Sequence, residues 1–242
     1  MKEIRINADA SIRREAISED HDYVIVDDFL QDPHELVEFA AQHAGEFVTP
    51  EQVGYPGLLF RVDENAMIDF YRFIRSKITK HFPFLRGNMK MWTVLSIVTM
   101  QPNELSTFQR LCHTDPNLDR DRTNYAALIY LFENEALGGT GFYRWKQLKA
   151  MEKAQTILNQ DPDKGLAFLQ KHFPTYRKPE CYMTESNEIA EHLCTILARF
   201  NRLIFYWGQI PHSAAITAPE LLSSDTRKGR LTLNIFADVL PM

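Results

Sequence analysis

The sequence has few cysteines, no long apolar run and no excess of positive charge, and each shortage excludes a class of protein. Its three cysteines, Cys112, Cys181 and Cys194, form no CxxC pair, so neither a structural zinc finger nor a disulfide framework is expected. No apolar run approaches the roughly 20 residues of a membrane helix, and the first twenty residues are too charged for a secretory signal. The net charge of −5 argues against general nucleic-acid binding, which requires a basic surface.

What the chain does have is the composition of an ordinary globular protein. Hydrophobic residues make up 45% of its 242 residues and aromatic residues 12%, which is enough to bury a sizeable core. No internal repeat and no low-complexity stretch divides it. We therefore predict a single domain over residues 1–242, located in the cytoplasm. No membrane or nucleic-acid partner is expected, and a homodimer stays open.

The first 90 residues are predicted to form a mainly helical support region. Residues 21–30 favour a strand. Asp32 then has the features of an N-cap, with Pro33 in the first turn and Glu35 closing a capping box, for a helix that ends near His43. A second helix is predicted from Glu64 to Phe82, because apolar residues recur there at helical spacing. These residues are Met67, Phe70, Tyr71, Ile74 and Ile78.

From residue 91 to residue 239 the pattern changes to strands. Apolar, β-branched stretches at 89–100, 123–132, 202–207 and 230–236 predict them, with a short strand at 141–145 after the Gly138-Gly139 turn. Residues 146–200 are predicted to interrupt the strands as a helical insertion that lies over the open end of the core or at a subunit contact. One helix of the insertion would start at Asp161-Pro162, and another would present an apolar stripe. The stripe consists of Ile189, Leu193, Ile196 and Leu197. The fold class is α+β.

Three residues are candidate metal ligands. His113 and Asp115 are two apart, so in an extended chain they point to the same side and can present an imidazole and a carboxylate to one ion. His212 follows the strand at 202–207 in a loop stiffened by Pro211. Two histidines and one carboxylate leave open positions on an octahedral ferrous ion, which oxygen chemistry needs. The triplet His113-Thr114-Asp115 is weak evidence by itself, because such triplets also arise by chance.

The strand that begins at Arg230 strengthens the evidence for a metal site. Alternation places Arg230, Thr232 and Asn234 on one face of it. An inward-facing arginine requires an anion, because a buried unpaired charge is costly. A dicarboxylic acid bound to the metal at one end would present its other carboxylate to the planar guanidinium of Arg230. The hydroxyl of Thr232 could add a hydrogen bond. A structural carboxylate is the alternative partner for Arg230, and Arg227 is the fallback if Arg230 points outward.

In these motifs the stretch from about Met91 to Val239 resembles the double-stranded β-helix core of the iron- and 2-oxoglutarate-dependent oxygenases, most of all the prolyl-hydroxylase-like branch and its bacterial relatives. Four pieces match in order. They are His113-Thr114-Asp115, the strand at 127–132 with the glycines at 138–141, residues 201–207 leading to His212-Ser213, and Arg230-Leu231-Thr232. The resemblance implies a jelly-roll, cupin-like core.

The resemblance also implies a function and a site. Ferrous iron would be held by His113, Asp115 and His212, and Arg230 would hold the far carboxylate of the cosubstrate 2-oxoglutarate. The expected enzyme is a dioxygenase that hydroxylates a small molecule, an amino acid or a peptide, with no catalytic residue beyond the metal ligands.

The chain departs from the family pattern at a tyrosine. Relatives often carry one on the strand before the metal triplet, where this chain has Thr99 or Met100. Tyr125 and Tyr130 are candidate substitutes as cosubstrate contacts. The distance of 99 residues between the two histidines is also long for the family, because residues 146–200 intervene.

Two other functional classes remain alternatives. The fold could be a cupin-like metal-binding module without oxygenase activity, acting as a sensor or interaction protein. It could also hold zinc and use it for hydrolysis. The pair of Arg230 and Thr232 favours the oxygenase.

Overall fold

Two antiparallel sheets form the centre of the protein. The computed structural model describes residues 4–50, 54–63, 67–82, 85, 87–115, 122–158, 160–174 and 180–240. The large sheet has seven strands in the order β1-β2-β8-β5-β10-β4-β3, and the small sheet has three in the order β7-β6-β9. The strands are β1 (Ile12–Ala16), β2 (Asp22–Val26), β3 (Gly57–Val62), β4 (Asn88–Val98), β5 (Thr123–Tyr130), β6 (Gly139–Trp145), β7 (Ala190–Ile196), β8 (Leu203–Trp207), β9 (His212–Ala215) and β10 (Arg230–Leu240).

The strand order confirms the predicted double-stranded β-helix. In the large sheet β4, β10, β5 and β8 are adjacent, although they are far apart in sequence. In the small sheet β6 lies between β7 and β9, and a bridge from His113 to His212 adds a short fourth segment beside β9. Four segments of the small sheet thus face four strands of the large sheet, and from β4 onward the chain crosses between the sheets at every step except that from β6 to β7, which is the jelly-roll arrangement. The metal-ligand candidates therefore lie at the edge of the small sheet.

Four helices are described: α1 (Pro33–Gln42), α2 (Ile68–Ser76), α3 (Leu148–Leu158) and α4 (Pro162–His172). α1 and α2 cover the outer face of the large sheet, where Leu36, Phe70 and Ile74 join the main apolar core. No helix in the described part of the chain has the length and apolarity that a membrane span requires.

Successive side chains of β10 point alternately to the two faces of the large sheet. Leu231, Leu233 and Ile235 face the helices in the main core. Thr232 and Asn234 face the small sheet, as predicted from the sequence. The partners in β4 and β5 follow the same alternation, because Thr232 lies opposite both Ser96 and Tyr130.

The helix boundaries match the sequence only in part. α1 begins at Pro33 as predicted, but the Asp32 side chain makes no cap hydrogen bond and instead pairs with Arg5 at 2.6 Å. The predicted capping box is therefore wrong. α2 is shorter than the predicted stretch, of which residues 64–66 lie outside the described residues. α4 begins where Asp161-Pro162 predicted, and Asp161 caps it by accepting from the Lys164 amide.

The predicted helix at 189–197 is wrong, because residues 190–196 form β7. β7 is an edge strand paired with β6, and the pairing contains a bulge between Phe142 and Tyr143. The bulge breaks the strict alternation of apolar residues that would have indicated a strand. Ile189 and Ile196 are both buried, in two different apolar clusters. The first 90 residues also contain more strand than predicted, because β1 and β2 extend one edge of the large sheet and β3 extends the other.

Candidate active site

His113, Asp115 and His212 meet at the edge of the small sheet. Backbone hydrogen bonds in both directions join His113 to His212, and the Asp115 amide donates to the Gly208 carbonyl at 2.9 Å. One ligand atom from each side chain lies within 4.8 Å of the other two, and His212 Nε2 is 3.7 Å from Asp115 Oδ1. The structure therefore brings together the three residues that the sequence singled out, although Pro116 lies outside the described residues.

The imidazole of His212 is held in the orientation that a metal ligand needs. Its Nδ1 donates to the Ile210 carbonyl at 2.8 Å, so the proton is on Nδ1 and the lone pair of Nε2 faces the triad. The Tyr206 and Phe142 rings lie beside it, with centroids 5.0 and 6.2 Å from the imidazole centroid. This packing fixes the plane of the ring.

Burial shifts the pKa values of all three groups. The pKa of His113 is lowered to about 4, by desolvation and then by repulsion from His212, although His113 is exposed to the cavity described below. Desolvation also lowers the pKa of His212 to about 4. The pKa of Asp115 is raised to about 7, chiefly by burial. Near neutral pH both imidazoles are thus in the uncharged form that binds metals. The raised pKa of Asp115 is typical of a buried carboxylate that no neighbouring cation stabilises in its charged form.

Asp115 also has an oxygen without a hydrogen bond. Its buried Oδ2 has no hydrogen-bond partner among the described residues, and neither has Oδ1 of Asn124, whose Nδ2 donates to Asp238 at 2.8 Å. Both oxygens face Gly208, where a Cβ atom would lie 2.1 Å from Asn124 Oδ1 and 2.8 Å from Asp115 Oδ2. Buried acceptors are rarely left unpaired, and a bound cation would satisfy the Asp115 oxygen. The donor set therefore fits a divalent metal.

Gly208 supplies the first test of this arrangement. Gly208→Ala is expected to displace the Asp115 carboxylate, and to weaken Mn²⁺ binding by roughly tenfold and the fold by about 1–3 kcal/mol, as overpacking does. Calorimetric titration with Mn²⁺ and thermal unfolding measure both. Gly45→Ala is the control, because a Cβ at Gly45 meets nothing within 4 Å. Unchanged Mn²⁺ affinity in Gly208→Ala would show that the carboxylate does not take part in binding.

Arg230 is a buried cation that pairs with no anion in the described part of the chain. Its side chain is on the inner face, as predicted, and the residue is 3% exposed. The guanidinium donates to the carbonyls of Gly138 at 3.2 Å and Gly139 at 2.7 Å and lies over the Phe132 ring. Among the described residues no carboxylate lies within ion-pair distance of it. The two hydrogen bonds use two of the five N–H groups of an arginine, so the guanidinium keeps donors for a ligand.

A polar strip continues from Arg230 along the sheet. The hydroxyls of Thr232 and Ser96 are 2.8 Å apart, and the Asn234 amide donates to Ser96. Tyr55 lies beside the strip. Its hydroxyl is buried and has hydrogen-bonding geometry with no described residue. Burial raises its pKa, and the nearby Arg230, Ser96 and Thr232 lower it in part.

Tyr55 is a residue that the sequence analysis missed. The chain just after it pairs with the end of β4, because Thr99 and Met100 donate to the Pro56 carbonyl. Tyr55 therefore lies beside the end of β4, the strand on which the sequence analysis sought a tyrosine. Only the pairing of β3 with β4 reveals this, and no motif marks it.

The two tyrosines chosen instead do not line the cavity. Tyr125 packs on the outer face of the large sheet against Phe205 and Phe82, so its assignment as a cosubstrate contact is wrong. Tyr130 faces the small sheet, but it is fully buried and its hydroxyl is bonded to Thr140 at 2.7 Å. It lies behind the cavity wall and does not reach the cavity. Their separation of five residues already places them on opposite faces of a strand.

One cavity of about 710 Å³ connects the triad with Arg230. Thr232 and Asn234 of the polar strip line it together with Tyr55, and so does one side of α3, including Met151, Glu152 and Gln155. The Thr114 hydroxyl donates to Gln155 at 3.1 Å and ties α3 to the metal triplet. α3, which lies within the predicted helical insertion, is thus one wall of the cavity.

The chain is similar in fold to several solved structures, at low sequence identity. Solved structures similar to it include a Pseudomonas putida prolyl-4-hydroxylase, at 12% identity over 92% of this chain and 94% of that chain, with a TM-score of 0.46. HygX from Streptomyces hygroscopicus with nickel and 2-oxoglutarate bound has 12% identity, 89% and 81% coverage and a TM-score of 0.46. The α-ketoglutarate-dependent epimerase SnoN from nogalamycin biosynthesis has 16% identity, 89% and 77% coverage and a TM-score of 0.43.

Likenesses of this size do not establish a shared activity. The sequence matches no curated protein. A family model, in contrast, matches residues 8–237, which is nearly the whole chain. The chain belongs to that family, the family of unknown function DUF6445.

Proposed function

We propose that this protein is a dioxygenase that uses ferrous iron and 2-oxoglutarate to oxidise an organic substrate. The observation that carries the proposal is the buried Arg230, which has no carboxylate partner among the described residues. It lines the same cavity as two uncharged histidines and a carboxylate. A dicarboxylate cosubstrate bound to a metal accounts for both the triad and the buried Arg230 at the other end of the cavity. A metal site alone accounts only for the triad.

The triad fits a ferrous ion. Two histidines and one carboxylate on one face are the ligand set of non-haem iron oxygenases, and they leave positions open for exchangeable ligands. When bound, the iron together with 2-oxoglutarate and oxygen would supply the oxidising chemistry, with decarboxylation of 2-oxoglutarate to succinate. The protein would hold the ion through His113, Asp115 and His212. It would also fix the His212 ring through the Ile210 carbonyl.

The far end of the cavity fits the other carboxylate of 2-oxoglutarate. Arg230 is anchored at Gly139, and His212 lies opposite Phe142 in the same ladder. The two anchor points are three positions apart along β6, which is roughly 10 Å of backbone. The Arg230 side chain extends into this gap from one end, and the His212 side chain extends into it from the other. Arg230 would form a bidentate pair with the carboxylate, and the Thr232 and Tyr55 hydroxyls would add hydrogen bonds.

The presence of Asp115 points to the type of reaction. Halogenases of the resembled superfamily have a small residue at this position, which leaves a coordination site for a halide. Here the carboxylate fills that site. Hydroxylation, or another oxidation that begins with removal of a hydrogen atom, is therefore expected.

Anaerobic addition of Fe²⁺ and 2-oxoglutarate tests the proposal without knowledge of the substrate. We expect a weak visible absorption band from the ternary complex, and slow formation of succinate after oxygen is admitted. A protein that forms no band and makes no succinate across a broad substrate screen would instead be a cupin-like binding module. Hydrolysis supported by Zn²⁺ without 2-oxoglutarate would identify the third class.

Tyr55 provides a more specific prediction. Tyr55→Phe is expected to weaken 2-oxoglutarate binding by about tenfold, because a hydrogen bond to a charged group contributes about 1.5–3 kcal/mol. Mn²⁺ affinity should stay unchanged, since the tyrosine lies at the Arg230 end. Calorimetric titration of the Mn²⁺-loaded protein with 2-oxoglutarate measures the effect. Tyr130→Phe is the control, because that hydroxyl is already bonded to Thr140. Equal losses in the two variants would mean that Tyr55 only supports the fold.

A further inference from the structure

The cavity continues past the metal-ligand triad, at the end opposite Arg230. Alternate residues of β10 line its floor from Arg230 through Thr232 and Asn234 to Phe236. Phe236 lies opposite Trp92 in β4 and Ala126 in β5. The next strand beyond β5 places Tyr206 opposite Ala126, and the Tyr206 ring is 5.0 Å from His212. Trp92 and Phe236, the aromatic pair, therefore lie at the triad end.

The aromatic pair offers an apolar surface and one unused donor. The two rings stack with centroids 3.9 Å apart and planes 18° apart, and both residues are half-buried in the cavity wall. The indole Nε1 of Trp92 is buried and has no hydrogen-bond partner among the described residues. An indole N–H can only donate, and buried donors are rarely left unpaired. A ligand at this surface would satisfy it with a carbonyl or hydroxyl oxygen.

The charged residues that line the cavity indicate which charge a ligand at this end would carry. Among the described lining residues, Arg230 is the only arginine or lysine, and the cosubstrate carboxylate would neutralise it. The acids are Asp115, at the triad, and Glu152. Glu152 lies on α3, exposed, and has no ion-pair partner among the described residues. Among these lining residues a second anion would find no positive charge besides Arg230, whereas a cation would find both Glu152 and the aromatic pair.

We infer that this end of the cavity binds a cationic amine that also carries an uncharged acceptor oxygen and a flat or apolar group. The amine would face Glu152, the oxygen would accept from Trp92, and the apolar part would lie on the aromatic pair. The hydrogen bond between Thr114 and Gln155 holds α3, and with it Glu152, beside the metal triplet. The binding itself needs only these residues; calling the amine a substrate rests on the proposed oxygenase activity.

Three matched probes test the inference. Phenylalaninamide carries an amine, an amide oxygen and a ring; N-acetylphenylalaninamide is its uncharged counterpart, and N-acetylphenylalanine is anionic. Each is titrated into the full chain with Mn²⁺ and 2-oxoglutarate, and again with neither, and ligand-observed NMR measures the affinity. We expect phenylalaninamide to bind about tenfold more tightly than N-acetylphenylalaninamide, because a charge-assisted hydrogen bond is stronger than a neutral one. N-acetylphenylalanine should bind most weakly.

Substitution of Glu152 connects this preference to the structure. Glu152→Gln should bring phenylalaninamide to the affinity of N-acetylphenylalaninamide. Asp163→Asn is the control, because it removes an exposed acid of α4 that does not line the cavity. The inference is overturned if N-acetylphenylalanine binds as tightly as phenylalaninamide, if no probe binds, or if Glu152→Gln leaves the tenfold difference intact. An amine preference without succinate formation would refute the oxygenase proposal and leave the binding inference standing.

Discussion

Replacing Asp115 with alanine is expected to abolish the iron-dependent conversion of 2-oxoglutarate to succinate. It should also weaken Mn²⁺ or Co²⁺ binding by more than about 100-fold, because loss of an outer-shell partner alone typically costs 10- to 100-fold. Asp115 is the one acidic residue of the triad, and its Oδ2 has no hydrogen-bond partner among the described residues. Anaerobic calorimetric titration measures the metal affinity, and succinate is quantified by mass spectrometry.

Thermal unfolding separates loss of the metal site from loss of the fold. Metal-free Asp115→Ala should be at least as stable as the metal-free native protein, because burying a carboxylate without a partner is unfavourable. The native protein alone should gain stability when Mn²⁺ is added, since a ligand that binds only the folded state stabilises it. Glu133→Ala, which removes an exposed acid just after β5, serves as the control for charge. Retained metal binding and succinate formation in Asp115→Ala would refute the assigned triad.

The sequence predicted which residues meet at the site better than it predicted the structure around them. Residues two apart in an extended segment share a side, so local spacing was enough to group His113 with Asp115, and Arg230 with Thr232. The strand order that brings His212 to His113 followed only from the resemblance to a family, because pairing across 99 residues leaves no local pattern. The cavity that joins these groups could not be read from local periodicity.

The errors have physical causes that differ from one segment to the next. A bulge in β7 disturbed the period of its apolar residues, so a strand resembled a helix. Asp32 pairs with Arg5, a partner distant in sequence, and local cap geometry did not form. Tyr55 contributes to the site from a segment without a motif. The odd separation of Tyr125 and Tyr130, in contrast, places them on opposite faces of a strand, so the sequence alone already excluded that both contact one cosubstrate.

Arg230→Lys is expected to weaken 2-oxoglutarate binding by about 100-fold while changing Mn²⁺ affinity less than twofold. Lysine is a single point charge and cannot form the bidentate pair, and it loses the planar shape that reaches the carbonyls of Gly138 and Gly139. The loss corresponds to about 2.8 kcal/mol, at 1.4 kcal/mol for each factor of ten. Sequential titration with Mn²⁺ and then with 2-oxoglutarate separates the two affinities in one sample.

Arg227→Lys is the matched control, since it makes the same chemical change three residues away. The Arg227 guanidinium forms its own bidentate pair with Glu38 on the surface, at 2.8 and 2.7 Å, and does not line the cavity. Its 2-oxoglutarate affinity should equal that of the native protein, and its stability should change little, because exposed ion pairs contribute at most about 1 kcal/mol. If Arg230→Lys lost Mn²⁺ and 2-oxoglutarate affinity to the same extent, Arg230 would be holding the sheet edge at Gly138 and Gly139. If only Arg227→Lys lost 2-oxoglutarate affinity, the cosubstrate would lie outside this cavity.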